Sequence, residues 1–300
     1  MPELPEVETI VRGLRPALEG STVVRARVWR PNVVVGSPRR FERAVTGRRI
    51  ERVGRRAKLL RFDLDDGRVW WTSLRMTGHY RLDPRGGRAD DARFLAAAAR
   101  AEAPSAGGPA AGPTPAPAYA RAAFDLAGGE RLWYVDVRTL GKLGVIGAAA
   151  WSRRERELGP EPLDPSFTAA ELAVRLRRTR RRIKEVLLDQ RILAGVGNIY
   201  ASEALYRAGI DPRTRADRVG GSGAQRLHEA IRGVLSEAIE HEGTTIVNYA
   251  GANGEGGAFA DRLRVYDRED ERCPRCGAPV RRIVQAQRST YFCPACQRRR

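Results

Sequence analysis

Three hundred residues are enough for two or three domains, each with its own core. A formal charge of +18 goes beyond what solubility needs and favours a polyanionic partner, nucleic acid ahead of a membrane surface or an acidic protein. No apolar run approaches the roughly 18 residues of a membrane span, and the acidic, proline-bearing start is the opposite of a signal peptide, so a soluble, cytoplasmic protein is expected.

The opening "MPELPEVET" predicts a helix from Pro5 to Leu18. Pro5 suits the first turn, Glu6 and Glu8 sit near the positive end of the helix dipole, and Val7, Ile10, Val11, Leu14 and Leu18 follow at helical spacing. Pro2 and Glu3 lie outside that helix and have no structural explanation of this kind. Residues 22–82 carry strand signals, with Asp65-Asp66-Gly67 as a hairpin turn. Residues 95–118 are an Ala/Pro/Gly-rich insertion with too few large apolar side chains to offset ordering, and are expected to be disordered. Strands resume in "YARAAFDLAGGERLWYVDV" and "KLGVIGA", so residues 1–150 read as a helix on a mostly antiparallel β domain.

Helical period then takes over. Thr168 and Glu171 have capping-box spacing, "RRRIKEVLLDQ" continues helical, and a Gly-x-Gly turn precedes Asn198, which reads as an N-cap or a ligand. Gly209 stops that helix, and a last helix is expected over Ala224–His241. The two-helix unit with its Gly-rich turn, flanked by the cationic run around Arg180, suggests phosphate binding. A Gly-rich loop then leads into Cys273-x2-Cys276, sixteen residues, and Cys293-x2-Cys296. This is the spacing of a four-thiolate zinc site; two disulfides are the alternative, and the absence of a secretion signal favours zinc. A segment this short needs the metal to stay folded.

Lysine appears only at Lys58, Lys142 and Lys184, so a retained ammonium among so many arginines can mark a place that needs a compact, titratable cation. The three histidines lie far apart and in dissimilar contexts, against a Ser-His-Asp or His-rich metal site.

Four motifs in order, "MPELPEVET", "RRAKLL", "DQRILAGVGNIYASEALYRAGIDP" and "CPRCGAPVRRIVQAQRSTYFCPACQ", resemble formamidopyrimidine-DNA glycosylase, the bacterial base-excision family that removes oxidised purines. The resemblance implies an α+β multidomain fold. An N-terminal helix and antiparallel β-sandwich span 1–150; a helix–two-turn–helix domain with a lesion loop at 250–258 covers 151–258; a zinc-finger β-hairpin covers 259–300. It implies one structural Zn2+ on Cys273, Cys276, Cys293 and Cys296, and damaged double-stranded DNA as partner. Loss of the initiator Met would leave Pro2 as nucleophile. Its amine, with a pKa near roughly 7.7–8.0, is partly unprotonated at neutral pH, and its iminium adduct would drive β,δ-elimination. Glu3 would be the general acid/base, with Glu6 supporting. Lys58 and Arg288 would serve elimination. Arg180 belongs to the DNA-binding set with Lys184 and the phosphate-binding Asn198. Met76, Arg138 and Leu140 would fill the hole left by the extruded base.

This chain departs from the family's strings. Leu140 stands where Phe is usual and can wedge a base step without stacking on it. Thr139 removes an arginine that faces the opposite base, "LRMTG" replaces Leu-Gly-Met-Ser-Gly, Tyr119-Ala120-Arg121 replaces a His-x-His pair, and Glu255 lies in an altered lesion loop. These departures bear on lesion choice. They leave two alternatives: an endonuclease VIII-type enzyme for oxidised pyrimidines, and a DNA-binding relative without catalysis. A monomer associated with the nucleoid is expected.

Overall fold

The computed structural model describes residues 2–83, 116–244 and 258–298. The expected insertion at 95–118, except its last three residues, and the lesion loop at 250–258, except its last residue, lie outside that set.

Helix α1 (Leu4–Leu18) begins one residue earlier than its sequence predicts. The reason is tertiary: the Leu4 N–H donates to the Gly195 carbonyl at 3.0 Å, and Glu3 takes the cap position. Its buried stripe, Val7, Ile10, Val11, Leu14 and Leu18, packs into a sandwich of two four-stranded antiparallel sheets. One sheet has the order β1-β6-β7-β5, from Val23–Val28, Ala120–Leu126, Arg131–Asp136 and Gly78–Asp83. The other has the order β2-β3-β4-β8, from Ile50–Arg56, Leu59–Leu64, Arg68–Ser73 and Lys142–Gly147. Strict alternation in β3 turns Leu60, Phe62 and Leu64 inward, and Phe62 stacks on Trp70 at 4.3 Å. The Asp-Asp-Gly turn joins β3 to β4 as expected, with Gly67 at φ 75.

Two helices were not expected. Helix α2 (Pro38–Val45) lies within the strand-rich stretch; Ser37 caps it by accepting the Arg40 N–H, and Phe41 and Val45 reach the core. Helix α3 (Ala148–Arg156) follows β8 directly.

The second half is helical: α4 (Ala169–Arg177), α5 (Ile183–Leu188), α6 (Asn198–Ala208) and α7 (Gly220–Glu240). Thr168 accepts the Glu171 N–H, as its spacing predicts. The arginine run before α5 is not helical: Arg182 is extended, bridges to Arg215, and donates to the Arg213 carbonyl at 2.8 Å. Tertiary pairing overrides the local propensity there. Helix α7 reaches back to Gly220 because the turn at Ala216–Arg218 already coils the chain into it. Leu4, two residues beyond the nucleophile candidate, is buried in this helical core and not in the sandwich.

The C-terminal hairpin pairs β9 (Arg281–Gln285) with β10 (Arg288–Phe292) through a two-residue turn, Ala286-Gln287, at φ 46 and 60. Gln297 ties the finger to the end of α6 by donating to the Ile210 carbonyl at 2.9 Å. No helix among the described residues is long and apolar enough to cross a membrane.

Candidate active site and nucleic-acid interface

Pro2 opens into a cavity of about 660 Å³ between the two halves of the molecule, lined also by Lys58, Gln190, Gly197 and Arg288. Three of the five sequence-predicted catalytic and supporting positions, Pro2, Lys58 and Arg288, thus line one opening, and the Glu3 carboxyl lies against Gly197, which lines it too.

Glu3 is 3% exposed, and its Oε1 accepts the Ile199 N–H at 3.0 Å, at the start of α6. Its Oε2 is buried with no hydrogen-bond partner. Burial raises the Glu3 pKa, while the nearby Lys58 charge and the Ile199 N–H oppose the rise. A carboxyl that keeps its proton above the ordinary range, with one oxygen free, is suited to donating that proton. The approach of Glu3 to α6 requires glycine at 197: a Cβ there would lie 2.3 Å from the Glu3 carboxyl carbon. Gly195 is held to glycine by the same arm, through its φ of 84 and a Cβ position 2.6 Å from Leu4. The "AGVGN" turn is therefore shaped around residues 3 and 4.

Glu6 is saturated. Its Oε2 accepts the Glu3 N–H at 2.7 Å, and its Oε1 accepts the Tyr200 hydroxyl at 2.5 Å and the Thr244 N–H and hydroxyl at 3.0 and 3.1 Å. It joins the N-terminal arm, α6 and residue 244. That is more than the first-turn carboxylate its position suggests.

Lys58 sits with Ala57, at φ 55, in the tight turn between β2 and β3. Burial lowers its pKa; Glu3 opposes that shift and Arg288 adds to it. Glu161, which sequence reasoning missed, holds this turn. It accepts Arg55 at 2.6 Å, Arg56 at 2.9 Å and the Ala57 N–H at 2.5 Å. Burial acts to raise the Glu161 carboxyl, but the two arginines hold it below its ordinary value. A carboxylate 104 residues from the turn it braces leaves no local signal.

Arg288 is exposed at the hairpin tip, and the residue after it is gripped from below. Lys184 donates to the Ser289 carbonyl at 3.0 Å and to the Thr290 hydroxyl at 2.7 Å, and Asn198 Nδ2 donates to the same carbonyl at 3.0 Å. Asn198 is the first helical residue of α6, not its cap; Gly197 takes that place because Glu3 supplies the cap bond from across the cleft. Lys184 is 1% exposed, and burial brings its pKa down to about 7, with Glu3 opposing. Both residues are directed at the hairpin and not at open surface. Arg180 is exposed in the non-helical run before α5.

The four cysteines are free and gathered, with every Sγ within 4.8 Å of the others. Cys276–Cys293 and Cys273–Cys296 are 3.5 and 3.9 Å apart. Those separations bracket the ~3.8 Å edge of a tetrahedron with Zn–S bonds of about 2.3 Å and exceed a disulfide's roughly 2.05 Å. The donor set fits one structural zinc ion and leaves no open coordination position.

The sequence matches the profile of the formamidopyrimidine-DNA glycosylase N-terminal domain over residues 1–143, that family's H2TH domain over 158–249, and a zinc finger found in FPG and IleRS over 270–299. The chain belongs to the formamidopyrimidine-DNA glycosylase family. A formamidopyrimidine-DNA glycosylase of Chloroflexus aggregans is 42% identical over 298 residues, covering 99% of this chain and 98% of the relative. The MutM (Fpg) protein of Thermus thermophilus superposes with a TM-score of 0.82 at 37% identity, with full coverage of both chains. A Lactococcus lactis Fpg mutant in complex with DNA containing Fapy-dG superposes with a TM-score of 0.83 at 30% identity, covering 99% of this chain and all of that one.

In this member of the formamidopyrimidine-DNA glycosylase family the three expected filler residues stand together. Met76, Arg138 and Leu140 are all exposed, and Arg138 Nη1 lies 3.4 Å from the Met76 sulfur. They project from two loops, β4–β5 and β7–β8, that each cross between the sheets. A buried residue not singled out in the sequence, Asp136, locks both loops: it accepts the Thr77 hydroxyl at 2.5 Å and the Gly141 N–H at 2.8 Å. Thr77 in turn accepts the Arg138 N–H at 3.0 Å. Arg121, in the altered Tyr119-Ala120-Arg121 string, donates to the Asp136 carbonyl at 2.7 Å and supports the wedge from behind.

Proposed function

We propose that this chain is a bifunctional DNA glycosylase and AP lyase that excises oxidised purines, such as 8-oxoguanine and formamidopyrimidines, from duplex DNA. The observation that carries the reading is the buried Glu3 carboxyl, with one oxygen unpaired, directly behind Gly197 and next in the chain to Pro2, which opens into the cavity lined by Lys58 and Arg288.

With the initiator Met removed, the Pro2 nitrogen lone pair attacks the sugar C1′, the C1′–N bond to the base breaks, and the Glu3 proton assists ring opening. The resulting iminium acidifies the neighbouring sugar position, so loss of a proton expels the 3′ phosphate, and a second elimination expels the 5′ phosphate. Hydrolysis then frees Pro2. Lys58 supplies charge, and a proton made available by its lowered pKa, to a departing phosphate. Arg288 grips phosphate from the hairpin tip. Lys184 and Asn198 set that tip and meet backbone phosphate once DNA is in the cleft, with Arg180 outside them. Met76, Arg138 and Leu140 occupy the gap left by the extruded base. Zinc is structural: it folds the segment that carries Arg288. The enzyme works as a monomer in the cytoplasm, at the nucleoid.

Borohydride trapping on matched duplexes tests this. Covalent adduct with 8-oxoguanine opposite cytosine, lost when Met1 is retained, is the expected result. Adduct mainly with an oxidised pyrimidine would move the chain to endonuclease VIII-type substrates. Binding without any adduct would leave a non-catalytic relative, and full cross-linking with Met1 in place would refute the role of Pro2.

A further inference from the structure

The cavity in front of Pro2 contains cations for which the reaction scheme gives no use. Arg75, Arg153 and Arg154 line it together with Lys58 and Arg288, and Glu157 is the one carboxylate among the described lining residues. Arg75 comes from the β4–β5 loop, immediately before Met76, at φ 55. That conformation suits glycine and is uncommon for a residue with a side chain, so the charge is placed there against a conformational cost. Arg153 and Arg154 come from the last turn of α3.

Cations in a last helical turn are ordinary, since they complement the helix dipole. Two features exceed that explanation. The Arg154 guanidinium lies 3.9 Å from the centre of the Trp71 ring, which fixes its direction. Arg75 and Arg153 are exposed and have neither an ion pair nor a side-chain hydrogen bond among the described residues, whereas arginines elsewhere in the fold, such as Arg55, Arg56, Arg131 and Arg213, are paired with carboxylates. Like charges gathered around one opening repel each other until an anion joins them. Burial of Arg154, and the charge of Arg75 near it, already weaken its hold on its proton.

We propose that Arg75, Arg153 and Arg154 form a phosphate-binding wall that receives a backbone phosphate of the damaged strand in addition to those held by Lys58 and Arg288. The wall rests on the DNA-lyase reading and extends it. Guanidinium groups present paired donors that match phosphate oxygens, which an ammonium cannot do. A terminal phosphate left after strand cleavage offers the same chemistry as an internal one.

The test uses the full zinc-bound chain and an Arg75→Gly/Arg153→Gln variant. Neither side chain makes a contact that folding needs, so the melting temperature should match the parent. Affinity is measured between 50 and 200 mM salt on two DNAs. One is an intact duplex with a tetrahydrofuran abasic analogue; the other is a gapped duplex made with and without terminal phosphates. The salt slope should fall by about 0.9 for each phosphate no longer neutralised, with roughly tenfold or greater loss of affinity. Loss on the intact duplex supports a wall for the continuous strand. Loss confined to phosphorylated ends supports a wall that holds the cleaved product. Unchanged slope and affinity on both DNAs overturns the proposal. Borohydride trapping by the parent chain is read separately, so a failed wall and a failed lyase assignment are distinguishable.

Discussion

Pro2 and Glu3 belong to a region fixed from several directions, whereas Met76, Arg138 and Leu140 stand exposed on two loops of the sandwich. Around the first group, the Leu4 N–H is held by Gly195, Glu3 by Ile199, and Glu6 by Tyr200 and Thr244. Around the second, a single buried carboxylate, Asp136, fixes the loops from beneath while the tips stay open to solvent. A proton donor has to be desolvated and aimed, so its surroundings must be buried and satisfied. A wedge has to enter a base stack, so it must remain exposed and only its base can be anchored. The departures from the family's strings at Leu140, Thr139 and Arg121 fall in the wedge and its support, while the motifs around Pro2, Glu3 and Lys58 are intact.

The largest expected effect separates the two regions outright. Glu3→Gln should lower base excision by roughly 10²–10⁴ while leaving affinity for an abasic-analogue duplex near that of the parent. Single-turnover excision and a binding isotherm measure the two; loss of both together would mean Glu3 is only structural.

Zinc removal should come next. Without the metal the hairpin loses its fold, and Arg288 leaves the cavity together with the contacts of Lys184 and Asn198. Duplex affinity should fall by at least roughly tenfold, as four thiols become titratable. Full affinity in metal-free protein would argue against a zinc-held hairpin.

Asp136→Ala and Leu140→Ala sharpen the contrast within the wedge. The first strands the Thr77 hydroxyl and the Gly141 N–H, and should cost about 1–3 kcal/mol of stability by denaturant titration. The second should change stability by less than about 0.5 kcal/mol yet weaken binding to lesion DNA severalfold. Equal stability losses would show that Leu140 is packed and not poised.

The smallest effect is a titration. With only three lysines, the side-chain NMR spectrum should resolve Lys184. Its ammonium is favoured by the Glu3 charge, so Glu3→Gln should move its pKa downward from about 7. An upward or absent shift would disconnect the two groups. Because the unfolded chain holds a proton on this lysine up to about pH 10.4 and the native one does not, its contribution makes stability rise with pH across that window. Lys184→Met should flatten the rise.

Much was legible before any coordinates. The α1 stripe, the Asp-Asp-Gly hairpin, the Gly209 stop and the four cysteines each depend on residues close in sequence, where period, turn chemistry and ligand spacing act directly. The motif strings placed the chain in its family and nominated Pro2, Glu3 and Lys58. Tertiary structure alone decided what surrounds them. Gly197 is required by a carboxyl from residue 3, and Asn198 loses the cap position to that same carboxyl. Glu161 braces a turn 104 residues away, and Lys184 and Asn198 hold the strand behind Arg288. Such pairings have no period and no local propensity; they arise only when packing of the two cores brings distant backbone and side chains into hydrogen-bond range.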